Sequence, residues 1–259
     1  MKLRLALILG TLTLFPASAV AGKIVAANDE WTLRDARWND DAARFETNLV
    51  SWFGAQPGDK FLIGNTAFDD QFFNLLANGL GYAYDRIPLG VAPDLAMLQQ
   101  YRAAFVSGPR WNPFDMVALT NYVKWGGNVY IAAGTGGGGP SGEGGAWNEF
   151  LTAFGLQYNS TYYNGIDAFI PIDSPHPIFS GVAALYQSNG LSVLLTDPAI
   201  PQARILVTYG GEGLYGVYES ANAPAGAWAV PEPGGLLLAA CGLVALAAVR
   251  RIMAPDSRG

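Results

Sequence analysis

The sequence offers few side chains for nucleophilic catalysis. It contains one histidine, His176, and one cysteine, Cys241, so a Ser-His-Asp relay would have to use His176 as its base. Ser107 ends a predicted strand and Thr135 follows one, but a hydroxyl without an aimed base stays protonated and unreactive. The setting of His176, in residues 174–177 (SPHP), is typical of a proline-ordered turn. We therefore expect no catalytic group, with Thr135, Ser107 and His176 as the only candidates for one.

A glycine-rich segment could bind phosphate. Residues 134–145 (GTGGGGPSGEGG) contain the G-x-G-x-x-G pattern between a predicted strand and a predicted helix, which is the context of a dinucleotide fingerprint. The segment lacks the lysine of a P-loop, and no acidic partner for a ribose is clearly placed. A flexible surface loop is the alternative, and we expect no cofactor.

Metal binding has little support in the sequence. One histidine and one cysteine exclude transition-metal sites of familiar spacing, and no calcium-loop pattern occurs. The acidic pairs Asp29-Glu30, Asp40-Asp41 and Asp69-Asp70 consist of neighbours along the chain, whose side chains point in different directions on a helix. Favourable charges at helix starts explain them, so no metal is expected.

Composition excludes some functions and leaves one binding function open. The chain has 259 residues, of which 51% are hydrophobic, so it can form a packed core. Its 15 basic and 21 acidic residues give a net charge of −6, which argues against binding nucleic acid through phosphates. Aromatic residues make up 12%, and Tyr158, Tyr162 and Tyr163 could stack on sugars or simply line a sheet.

Hydrophobic periodicity predicts one α/β domain over residues 23–220. Strands separated by helices indicate crossover connections and a mainly parallel sheet, and the later short β segments are expected to pair antiparallel at one edge. The predicted helices cover 34–53, 69–80, a short segment from 93, 113–125 and 147–154. The predicted strands cover 24–27, 60–64, 82–87, 103–107, 128–133 and 156–163, followed by 169–172, 192–195, 204–208 and 214–218.

This domain resembles the class I glutamine amidotransferase-like fold. The resemblance is carried by residues 104–108 (AFVSG), 122–127 (YVKWGG), 128–133 (NVYIAA) and 176–181 (HPIFSG). It implies a three-layer, mainly parallel flavodoxin-like sheet with added antiparallel edge strands. Active members carry a cysteine at the sharp turn that residues 132–136 (AAGTG) occupy here. Because that turn has no thiol, the resemblance implies a non-catalytic relative.

The first 22 residues have the features of a secretory signal peptide. Lys2 and Arg4 precede an apolar run over 5–15, and Ala19-Val20-Ala21 forms a small-residue cleavage pattern. A membrane-spanning helix is the alternative, but the run is short for one. The sequence thus predicts export by the secretion machinery and removal of the signal by signal peptidase after Ala21.

The C-terminal segment has three ordered elements after a linker at 221–229. Val230-Pro231-Glu232-Pro233 is followed by 234–249, which carry no charge, and then by Arg250 and Arg251. As a helix, these uncharged residues would span about 24 Å, a little less than the ~30 Å hydrocarbon core of a bilayer, a difference that snorkelling arginines and local thinning can cover; the arginines would stay in the cytoplasm. A transmembrane helix over 234–249 is therefore predicted, and an ordinary single-pass anchor is one interpretation of it.

Residues 230–259 resemble the PEP-CTERM sorting signal of Gram-negative bacteria. The resemblance implies recognition at the inner membrane by an exosortase, cleavage near the motif, and release or attachment at the cell surface, often in biofilm bacteria that make exopolysaccharide. We accordingly expect an exported surface or extracellular-matrix protein whose domain lies outside the cytoplasm and has a structural or binding role. A hydrolase or amidotransferase-like enzyme with an atypical site, and an exopolysaccharide-binding module, are the alternatives.

Overall fold

The computed structural model describes residues 22–64, 67–88, 90–108, 114–134 and 138–220, and every structural statement below concerns these residues. The strands are β1 (Lys23–Ala27), β2 (Lys60–Ile63), β3 (Ala83–Arg86), β4 (Ala103–Ser107), β5 (Asn128–Ala132), β6 (Leu156–Tyr158), β7 (Ala168–Pro171), β8 (Ala184–Gln187), β9 (Val193–Leu195), β10 (Ala203–Tyr209) and β11 (Glu212–Glu219).

The helices connect these strands. They are α1 (Asp40–Trp52), α2 (Asp70–Asn74), which continues as a π-helical turn over Leu75–Gly79, α3 (Leu95–Leu98), α4 (Met116–Trp125) and α5 (Gly139–Leu151). Short 3₁₀ turns lie at Trp31–Leu33, Asp35–Arg37, Thr152–Phe154 and Pro177–Phe179.

A seven-stranded sheet forms the centre of the fold. Its strand order is β10-β11-β1-β5-β4-β2-β3. The five strands from β1 to β3 in this order pair in parallel, whereas β11 pairs antiparallel with both β1 and β10. The predicted mixed α/β domain with a mostly parallel sheet is thus confirmed, as is the antiparallel pair at one edge.

Both faces of the sheet are covered by apolar packing. Phe45 of α1 and Phe72 of α2 belong to the core on one face, together with Phe105 of β4. Tyr122 of α4 and Trp147 of α5 belong to the core on the other face. Successive side chains of a strand point to opposite faces, which is why fully buried strands such as β4 supply both cores and read as continuous apolar runs.

Three predicted helix starts differ from the structure. The helix predicted over 34–53 begins at Asp40, because the Asn39 side chain accepts a hydrogen bond from the amide of Ala42 at 2.9 Å and caps it. The helix predicted from 113 begins at Met116, where Asp115 is the cap. The helix predicted from 147 begins at Gly139, so the second half of the glycine-rich segment is helical rather than a loop.

The later β segments do not all join the central sheet. Strands β10 and β11 join the central sheet, but β6 pairs with β9 and β7 with β8 in two separate two-stranded sheets. Strand β8 was not predicted. Its four residues are too short to show a clear alternation of apolar and polar side chains.

Both predicted targeting segments lie outside the described residues, apart from Gly22. Within the part of the chain that the structure does describe, no helix combines the length and the apolar character needed to cross a bilayer.

Candidate functional site

The carboxyl ends of β1 and β5 lie at the position where an open α/β sheet most often places its site. The two strands are neighbours, and the chain leaves β1 towards α1 on one face and leaves β5 towards α5 on the other. In open α/β sheets such a divergence is the usual place for a ligand, but here the side chains of Asn28, Asp29 and Glu143 are fully buried. Asn28, Asp29 and Glu30 follow β1 here, and Gly134 follows β5.

Two backbone amides donate hydrogen bonds to the Asp29 carboxylate at the end of β1. It is fully buried, one carboxyl oxygen accepts from the amide of Trp31 at 3.0 Å, and the other accepts from the amide of Ser188. Burial raises the pKa of Asp29 to about 6, although these backbone hydrogen bonds and the charge of Arg34 oppose the shift. The side chain thus joins the end of β1 to the segment after β8.

Glu30 is the carboxyl group nearest to titration at neutral pH. It is 9% exposed, and Arg34 approaches it at 3.1 Å. Burial raises the pKa of Glu30 to about 7, which outweighs the lowering by Arg34. Three further carboxylates, those of Asp29, Glu143 and Asp69, also raise this pKa. Glu30 is therefore partly protonated near pH 7.

Glu143 joins α5 to the end of β5. The side chain is fully buried, and its Oε1 accepts from the amide of Gly134 at 3.0 Å. In a dinucleotide fingerprint the amides of this region face an anionic pyrophosphate. A carboxylate in contact with the first glycine of the segment would repel such a group, so the described residues do not fit a dinucleotide site.

The structure separates the two candidate catalytic residues that it describes. Ser107 is fully buried at the carboxyl end of β4, level with Ala27 of β1 through the pairing with β5. His176 instead lies near the opposite, amino-terminal end of β1. There its ring contacts that of Trp52, with 5.2 Å between the two centroids. Trp52 in turn accepts from Lys23 at the start of β1. The two ends of β1 are about 13 Å apart along the strand, so no Ser-His pair is assembled; Thr135 lies outside the described residues.

His176 has a local structural role. It is 7% exposed, and its Nδ1 accepts from the amide of Ile178 at 3.4 Å, which caps the turn at Pro177–Phe179. Burial lowers the pKa of His176. The neutral imidazole forms one wall of an open cavity of about 270 Å³ that Trp52 and Arg204 also line. The expectation of an ordered turn agrees with this arrangement.

Members of two acidic pairs accept hydrogen bonds from backbone amides. Asp41 accepts from the amide of Ala184 at 3.1 Å, and Asp69 accepts from the amide of Asp35 at 3.3 Å. Asp69 also forms an ion pair with Arg34 at 3.4 Å. Among the described residues, no group of three histidine, cysteine or acidic side chains is arranged to hold a metal ion.

The three tyrosines singled out in the sequence have different surroundings. Tyr158 is buried and donates to the carbonyls of Ala27 and Ile131, at 2.8 and 2.9 Å. Tyr163 is half-buried, with its hydroxyl enclosed. Tyr162 is 48% exposed and donates to Glu212 at 3.0 Å. Only this last tyrosine presents a ring to an external ligand.

Sequence reasoning missed the residues around Tyr162. Tyr209 is 47% exposed and pairs directly with Glu212 at the tip of the β10–β11 hairpin. Ser192 donates to Glu212 as well. The signal was present in the sequence, because Gly210-Gly211 between two β segments predicts a two-residue hairpin turn that fixes which side chains face each other.

Comparison with protein families and with curated proteins adds no identification. No family model matches the chain, and no curated protein is significantly similar to it.

Proposed function

We propose that this chain is an exported surface or extracellular-matrix protein that is processed through its C-terminal sorting signal, with an α/β domain that has a structural or binding role rather than a catalytic one. Its partners would be signal peptidase, the secretion machinery and an exosortase-type enzyme at the inner membrane. The domain would lie outside the cytoplasm before processing and at the cell surface or beyond it afterwards.

A non-catalytic domain is supported by the hydrogen bonds that the buried polar groups at the ends of β1 and β5 already make within the protein. Both carboxyl oxygens of Asp29 accept from backbone amides, and Glu143 accepts from the amide of Gly134. Ser107, the hydroxyl at the neighbouring strand end, is fully buried and far from His176. Acyl transfer would need a nucleophile and a base in mutual contact.

The strand order supports the finer assignment to the flavodoxin-like group. When β2 is counted first, β3-β2-β4-β5 follow the order 2-1-3-4 of that group, and β1 takes the fifth position. Helices on both faces give the three layers. Fold alone does not imply activity, and the turn after β5 has no cysteine in a chain whose only thiol is Cys241.

An activity-based probe tests the non-catalytic part of the proposal. We expect the purified full chain to show no labelling by a fluorophosphonate and no hydrolysis of ester or amide substrates. Labelling that disappears in Ser107→Ala, or a hydrolase activity that His176→Ala abolishes, would contradict it.

Substitutions in the motif test the sorting part. In a Gram-negative host that carries an exosortase, we expect Pro231→Ala combined with Glu232→Ala to leave the chain in the inner membrane. Pro224→Ala, which changes the same residue type in the linker, is the matched control and is expected to be processed normally. An intact C-terminus in the unsubstituted chain would instead favour an ordinary membrane anchor.

A further inference from the structure

The tip of the β10–β11 hairpin presents an ordered set of aromatic and polar side chains. Tyr209 and Glu212 are a directly opposed pair on either side of Gly210 and Gly211. Both glycines have positive φ, 59° and 90°, as a two-residue type I′ turn requires. Directly opposed residues project from the same face of a ladder. The Tyr209 ring and the Glu212 carboxylate therefore share one face of a tight turn.

Contacts from a second segment hold the carboxylate in place. The Tyr162 hydroxyl donates to the two oxygens of Glu212, at 3.0 and 3.3 Å. Ser192 donates to Oε2, and Asn164 donates to the Ser192 hydroxyl at 3.3 Å. Glu212 thus has Tyr209 as its cross-strand partner and Tyr162 as a hydrogen-bond donor from the segment before β7. A carboxylate fixed by two hydroxyl donors is preorganised to accept further hydrogen bonds.

Both rings are open to solvent. Tyr162 is 48% exposed and Tyr209 is 47% exposed. A Cβ atom added at Gly210 or Gly211 would meet no atom within 4 Å, so the space above the turn is free. Tyrosine combines a large apolar ring with a polar tip at a low cost in conformational entropy, which makes it effective in exposed binding sites.

We propose that Tyr162, Tyr209 and Glu212 form a subsite for a neutral polysaccharide. The apolar C–H faces of a pyranose would stack on the tyrosine rings, and its hydroxyls would donate to Glu212. None of the five side chains in this cluster is basic, so the site does not suit uronic acid or phosphate polymers. The inference gives the proposed non-catalytic domain its ligand class and depends on the proposed export for its biological context.

Affinity electrophoresis tests the subsite directly. The full chain, purified in detergent, is run in native gels that contain a soluble neutral glucan, a galactomannan or the anionic polymer alginate. We expect retardation by a neutral polysaccharide and none by alginate. Tyr209→Ala and Tyr162→Ala are expected to raise the Kd about tenfold each, through the loss of one stacking surface.

Two variants separate ring loss from general damage. Tyr209→Phe keeps the ring and is expected to retain binding. Trp125→Ala removes another aromatic side chain that is 47% exposed, at the end of α4, and is expected to bind as the unsubstituted chain does. Thermal unfolding of each variant confirms that it is folded.

Three outcomes would overturn the subsite. These are no retardation by either neutral polysaccharide, retardation by alginate alone, or equal retardation of the unsubstituted chain and both tyrosine-to-alanine variants. Binding in the gel requires no export or processing. A chain that binds but stays in the cytosol would therefore contradict the proposed function and leave the subsite supported.

Discussion

Replacing Glu46 by leucine is expected to raise the free energy of unfolding by about 1 kcal/mol at pH 4.5 and by more at pH 7. Glu46 lies on the buried face of α1 with Phe45 and Leu49, and its side chain is fully buried. Neither carboxyl oxygen has a hydrogen-bond partner among the described residues. Burial raises the pKa of Glu46 well above its ordinary value of 4.5, with no other cause. The apolar environment therefore favours the protonated form of this carboxyl group in the folded chain.

The magnitude follows from the proton balance. In the unfolded chain Glu46 ionises near pH 4.5, and each pH unit above that favours the unfolded state by about 1.4 kcal/mol while the folded group stays protonated. The folded state binds the extra proton, so the free energy of unfolding falls as the pH rises from 4.5 towards the folded pKa. At pH 4.5 only the burial of an unpartnered neutral carboxyl remains, which costs about 1 kcal/mol.

Urea denaturation at pH 4.5 and pH 7 measures both contributions. Glu149→Leu on the exposed side of α5 is the matched control, because it makes the same substitution at an exposed position. We expect a stability gain in Glu46→Leu that is larger at pH 7 than at pH 4.5, and little change in the control. A Glu46→Leu variant that is less stable than the unsubstituted chain at both pH values would refute this reasoning.

Three smaller effects are expected. Tyr158→Phe should lower the free energy of unfolding by about 1 kcal/mol, because the hydroxyl donates to carbonyls of β1 and β5, whereas Tyr162→Phe at the surface should change it little. Asn39→Ala should cost about 1 kcal/mol in thermal unfolding through the lost cap of α1, and Asn39→Asp should retain the cap. Burial lowers the pKa of His176, so the unfolded chain takes up its proton first as the pH falls through about 6.5. Stability should therefore decline there, and urea titrations should show a smaller decline in His176→Gln.

The sequence predicted the central sheet well, because its strands are buried on both faces. Ala103–Ser107 and Asn128–Ala132 are continuous apolar runs bounded by glycine and polar residues, and such runs are typical of parallel strands between two helical layers. Helix starts were less predictable. Trp38 fits the apolar period of α1 but lies before the capping residue Asn39, so it is not part of the helix. Apolar periodicity indicates which side chains face the core and does not indicate where the helical hydrogen bonds begin.

The start of α5 and the aromatic cluster depend on contacts that no local pattern contains. Glycine destabilises a helix by about 1 kcal/mol per residue relative to alanine. Gly144 nevertheless lies within α5, because the helix is held by the hydrogen bond from the amide of Gly134 to Glu143 and by the buried side chain of Trp147. Tyr162 and Glu212 are 50 residues apart in the chain. Their proximity follows from the tertiary fold, so sequence alone could propose the tyrosine but not its carboxylate partner.

Mass spectrometry of both termini, on protein recovered by cell fractionation from a host with an exosortase, tests the central claim most directly. The account predicts a chain outside the cytoplasm that begins at Gly22, after removal of the signal peptide, and that ends near Val230–Pro233 without the arginines that follow. Recovery of full-length chain from the cytosol, with Met1 and Gly259 both present, would contradict it.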